Sequence, residues 1–164
     1  MENFKRIHLL PVRKFPYYYY ELNFHIPNTG KTLTIIMLDT VLLCGNSNDY
    51  VDEKPRGPLR AVDANRQLTW LQERLARSKA DFLLVAGHYP VWSVSEHGPT
   101  ECLLQRLHPL LIKYNVTAYL CGHDHNLQVC SGRILNTGSV SAWFLLSYLF
   151  SSNSTLRSLA WATW

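Results

Sequence analysis

Two apolar runs in this chain end in the same dipeptide, glycine then histidine. Phe82–Ala86, FLLVA, passes into Gly87 and His88, and Val116–Cys121, VTAYLC, passes into Gly122 and His123. A short continuous apolar run bounded by turn residues reads as a strand buried within a sheet, and glycine lets the chain leave such a strand sharply. Helical periodicity lies between the runs. Ala61–Ala80 places Leu68, Leu71 and Leu75 on one face, and Cys102–Tyr114 carries Leu103, Leu104, Leu107, Leu110 and Leu111, with Pro109 expected to kink or divide it. Leu33–Leu38, LTIIML, supplies an earlier strand, and the aromatic Tyr17–Phe24 a plausible hairpin partner for it. The order strand, helix, strand, helix, strand implies an α/β fold with partly parallel strands. His88 and His123 then fall at the carboxyl edge of the sheet, where ligands of open α/β sheets bind.

That placement points to a metal. His123 and His125 are two residues apart, and side chains alternate along extended backbone, so the two rings are expected to face the same way. Neighbouring strands lie about 4.8 Å apart, which brings His88 within reach of the same ion or pair of ions. Imidazole suits zinc and iron. A lone HxH reads as two exposed loop histidines; a second Gly-His exit favours the metal reading. A bound metal creates hydroxide near neutral pH, and two metals can clamp both oxygens of a phosphoryl displacement. His97, in the irregular loop Val91–Thr100, is placed to protonate a leaving alkoxide, or else is a solvated loop residue. Asp39, at the end of its strand, reads as a turn residue bonding to backbone amides, or alternatively as a ligand or a catalytic carboxylate.

Bulk properties fit one globular domain. The chain has 164 residues, 47% of them hydrophobic and 17% charged, a mixture that excludes a disordered chain. The formal charge of +4 is spread along the sequence without a dense basic run, so no nucleic-acid partner is expected. No stretch is long enough to span a membrane, and residues 1–12 are unpatterned and lack the apolar core of a signal peptide. The four cysteines form no CxxC pair, which argues against a zinc ribbon. Cys121 reads as a buried thiol. Cys44 and Cys102 lie in polar surroundings and either pair or stay free. Gly45–Pro58 is a long polar loop of the kind that proteases cut. Asn115 and Asn153 each begin a glycosylation acceptor pattern.

Together, GHYPVW at 87–92, SEHGPT at 95–100, YLCGHDHN at 119–126 and LDTVLLCGNS at 38–47 resemble the mammalian-type purple acid phosphatases. These are the tartrate-resistant acid phosphatases of the calcineurin-like metallophosphoesterase superfamily. The likeness runs from about residue 13 to 128, which implies a partial phosphoesterase domain over 13–128 and a divergent, poorly ordered tail over 129–164. It implies a β-sandwich flanked by helices, present only in part, and hydrolysis of phosphate monoesters, phosphoproteins included. The cofactor would be dinuclear iron, Fe3+ with Fe2+ or Zn2+. His88 and His123 would bind the divalent ion, His125 the ferric ion, and His97 would act on the phosphate ester. Cys44 and Cys102 would form the family's disulfide. The loop at 45–58 would overhang the site until a protease cuts it, and the protein would be lysosomal or secreted. The family's earlier DxG, GDxxY and GNHE motifs do not occur, so the expectation is an N-terminally truncated fragment of a phosphatase with an unrelated tail. Such a chain would be inactive, or a mononuclear three-His zinc hydrolase with Asp39 assisting.

Overall fold

The computed structural model describes residues 16–48, 54–125, 127–133, 140–146 and 160–163. Strand β1 (Tyr20–His25) forms an antiparallel hairpin with β2 (Thr32–Met37), as the two aromatic and β-branched runs imply. From β2 the chain enters a short helix, α1 (Thr40–Cys44), which the sequence pattern did not reveal, and then α2 (Ala61–Arg77). Strand β3 (Phe82–Ala86) follows, then α3 (Glu101–Arg106), α4 (His108–Lys113) and β4 (Ala118–Cys121). Pro109 stands at the start of α4 and does divide the helical stretch, because its ring and missing N–H fit a first turn but not a helix interior.

Strands β5 (Leu127–Arg133), β6 (Val140–Leu146) and β7 (Ala160–Thr163) complete a seven-stranded sheet in the order β1-β2-β3-β4-β6-β5-β7. Strands β2, β3, β4 and β6 run parallel. The described residues of 129–164 belong to β5, β6 and β7. Asn153 lies outside the described residues.

The parallel strands alternate in burial. Ile36, Leu83, Val85 and Tyr119 sit in the core with Leu71, Leu75, Leu103, Leu107 and Leu111 of the helices. On the other face Leu33, Ile35, Met37, Phe82, Leu84 and Leu120 are only half-buried. Contiguous apolar surface of that kind favours association. The purified chain should therefore self-associate as its concentration rises in sedimentation velocity; a monomer that melts in one sharp transition would contradict this.

Two polar side chains, Gln67 and Asp39, fix where β2 ends. The side-chain amide of Gln67, wholly buried in α2, accepts from the Asp39 N–H at 2.9 Å and donates to the Asp39 carbonyl at 2.9 Å. The Asp39 carboxylate caps α1 by accepting from the Leu42 N–H at 2.8 Å. Asp39 is thus the turn residue of the two alternatives.

Candidate functional site

The two Gly-His exits are held side by side by backbone bonds that continue past the strands. The Gly87 N–H donates to the Leu120 carbonyl at 2.9 Å, and the Gly122 N–H donates to the His88 carbonyl at 3.0 Å. Gly87 is needed for close approach. A methyl group there would lie 2.6 Å from Thr40 Cγ2 and 2.7 Å from the Tyr119 hydroxyl. Neither neighbour can yield easily, since Thr40 Oγ1 accepts from the Tyr89 N–H at 3.1 Å and the Tyr119 hydroxyl donates to the Tyr89 carbonyl at 2.8 Å. Burial raises the Tyr119 phenol far above its ordinary pKa and keeps it a neutral donor. We expect Gly87→Ala to destabilise the chain by about 1–3 kcal/mol, the usual cost of overpacking, measured by urea unfolding. An unchanged midpoint would show that the neighbours yield freely.

With the exits fixed, the imidazoles of His88 and His123 meet, Nε2 to Nδ1, at 3.2 Å. The ring of His97 lies 4.5 Å from that of His123, centroid to centroid. Tyr89 closes the other side, its ring 4.9 Å from the His123 ring. The mouth of the cleft is lined by Ser47, Asn48, Lys54 and Pro55 of the 45–58 loop, together with His97 and His123. Tyr89 also ties down the root of that loop: its hydroxyl donates to the Gly45 carbonyl at 3.1 Å and accepts from the Ser47 N–H at 3.0 Å. The disulfide Cys44–Cys102 joins the same root to the start of α3, with 5.7 Å between the Cα atoms. Cys121 is free and buried, and burial pushes its thiol well above the ordinary range.

The extended backbone that the alternation of His123 and His125 requires is not present. His123 has a left-handed φ of 71°, and residues 123–125 form a bend. Period-two alternation requires extended backbone, and here the chain has already turned. His125 is exposed. Among the described residues no group of three or more His, Cys, Asp or Glu side chains is arranged to hold a metal ion.

The pair does match part of one ion's shell. Two nitrogens each about 2.1 Å from one cation, at tetrahedral or octahedral angles, are roughly 3.0–3.4 Å apart. The observed 3.2 Å falls in that interval. Among the described residues the donor set fits two adjacent positions on a single cation.

Sequence reasoning missed the groups behind the rings. Asp124 is buried, and its carboxylate accepts from the Ser93 hydroxyl and from the His97 N–H, the latter at 3.3 Å. The only local signal was a carboxylate set between two histidines.

A family model for calcineurin-like phosphoesterases matches residues 2–127. The chain is similar to tartrate-resistant acid phosphatase type 5 of Oryctolagus cuniculus, with 60% identity over 114 residues, covering 70% of this chain and 35% of that protein. The same enzyme of Homo sapiens is 57% identical over 114 residues, again covering 70% of this chain and 35% of that protein. Purple acid phosphatase 17 of Arabidopsis thaliana is 41% identical over 58 residues, which cover 35% of this chain and 17% of that protein. Among solved structures, GAP50, the anchor in the inner membrane complex of Plasmodium, shares the fold with a TM-score of 0.58 and 24% identity, covering 79% of this chain and 36% of that one. This chain thus spans about a third of the length of the acid phosphatases it resembles.

Proposed function

The chain belongs to the calcineurin-like phosphoesterase family, and from that premise we propose that it carries the imidazole-bearing part of a phosphate monoester hydrolase. The observation that supports this most directly is the convergence of three rings, His88 on His123 at 3.2 Å and His97 against His123 at 4.5 Å. His88 and His123 would hold one cation, which would supply Lewis-acid activation of the phosphoryl group and of the attacking water. His97 donates a proton to the departing alkoxide, a task that imidazole performs as a general acid. The described ends of the 45–58 loop line the mouth of the cleft; the loop would limit access of substrate and bulk water, and its removal by a protease would open the site to bulky phosphoproteins. The sequence resemblance to the purple acid phosphatases implies a dinuclear iron centre, with Fe2+ or Zn2+ beside Fe3+ and with His125 on the ferric ion. Among the described residues, His88 and His123 together reach one ion.

The disulfide between Cys44 and Cys102 favours an oxidising compartment, in keeping with a lysosomal or secreted protein. Among the described residues no helix is long and apolar enough to cross a membrane.

Turnover of p-nitrophenyl phosphate in mildly acidic buffer, with Zn2+ or Fe2+ supplied, tests the proposal. Hydrolysis should require the added cation and fall on the order of 100-fold in His97→Ala, as for loss of a general acid. Cation-independent or absent hydrolysis would overturn it and favour a non-catalytic fragment. One cation bound per chain supports a mononuclear zinc hydrolase, and two the dinuclear form.

A further inference from the structure

We propose that Ser93, Asp124 and Gln128 form a latch whose role is to position His97 over His123; the proposal rests on the catalytic role given to His97 above. Ser93 is the hub. Its hydroxyl donates to Asp124 Oδ2 and accepts from Gln128 Nε2 at 2.8 Å and from the Ser95 N–H at 3.0 Å. A hydroxyl has one proton and two lone pairs, and all three are used. The remaining ends of the partners close the circuit. Gln128 Oε1 accepts from the Val94 N–H at 2.9 Å, and Asp124 Oδ1 accepts from the His97 N–H at 3.3 Å. Each assignment forces the next, so neither the amide of Gln128 nor the hydroxyl of Ser93 can turn without breaking a buried bond.

The geometry gives the network a direction. Apart from the Cys130 thiol, which donates to Gln128 Oε1 at 3.8 Å, these bonds run between or within two segments, 93–97 and 124–128. The first carries His97, and the second begins next to His123. Asp124 is 1% exposed and Gln128 is wholly buried, although burying a carboxylate and an amide is costly unless both are fully partnered. An apolar trio of the same volume would fill the space without that cost. What the polar trio adds is a fixed register between the loop and the turn. It ties the backbone of His97 to the neighbour of His123 and leaves the loop little freedom to slide. Positioning of that kind matters because a displacement of roughly 1 Å at a reacting group can cost on the order of 100-fold in rate.

The test uses the full chain with Zn2+ and p-nitrophenyl phosphate. Ser93→Ala should lower kcat about 10- to 100-fold while KM stays within about twofold, since substrate contacts are untouched. Cation stoichiometry should not change. Ser93→Thr, which keeps the hydroxyl, should recover most of the loss. The double variant Ser93→Ala with His97→Ala should be no slower than His97→Ala alone. Additive losses, a change confined to KM, or loss of the cation would overturn the latch as a positioning device. Amide hydrogen exchange supplies an arm that needs no turnover: the N–H groups of Val94, Ser95 and His97 should be protected in the unaltered chain and exposed in Ser93→Ala. Equal exchange in the two chains would refute the latch, whereas protected amides in a chain that hydrolyses nothing would refute the catalytic reading alone.

Discussion

A His123→Ala chain is expected to bind Zn2+ at least on the order of 100-fold more weakly than the unaltered chain, the upper range even for losing an outer-sphere partner of a metal ligand. His123 shares its ring nitrogen's position with His88 at 3.2 Å, so alanine leaves one imidazole and no chelate. The substitution should spare the fold. His123 is half-buried, and its side chain makes no part of the apolar core. His25→Ala is the control, because that ring is exposed on β1, away from the strand exits. Isothermal titration with Zn2+ reads both variants. Equal affinity for all three chains would mean that the paired rings hold no cation, and the hydrolase proposal would lose its main support.

The second large effect concerns the disulfide. Cys44 and Cys102 are 58 residues apart, and the bridge ties the end of α1 to the start of α3. On the chain-entropy account, closing a loop of that length restricts the unfolded ensemble by roughly 4 kcal/mol. The double substitution to serine, or reduction under native conditions, should lower the unfolding free energy by about that amount. Urea denaturation followed by circular dichroism measures it. A loss below about 0.5 kcal/mol would show that the unfolded chain is already compact in this region.

Local pattern carried the reading of the chain as far as local pattern reaches. Apolar runs ending in glycine located β3 and β4, leucine spacing located α2, and Pro109 marked the break between α3 and α4. The pairing of His88 with His123 was legible because two like strand exits in an α/β order must lie side by side. The groups that hold the site were not legible. Gln67 grips Asp39 across 28 positions, Tyr89 reaches Gly45 across 44, and Ser93 reaches Asp124 across 31. Partners that distant leave no trace in a window of neighbouring residues. The premise of the period-two rule was lost for a related reason: a single left-handed residue, His123, ends the extended backbone, and nothing in HDH announces it.

The two feet of the 45–58 loop meet each other. The Gly57 N–H donates to the Cys44 carbonyl at 2.9 Å, and Gly45 packs so closely on the Gly57 carbonyl oxygen that no side chain fits between them. Chain strung between feet already joined costs little to lengthen, about 0.6 kcal/mol for each doubling. Drift in the length and composition of that stretch is thereby uncoupled from the strand exits beneath. The joined feet thus isolate the strand exits from whatever the chain between them does.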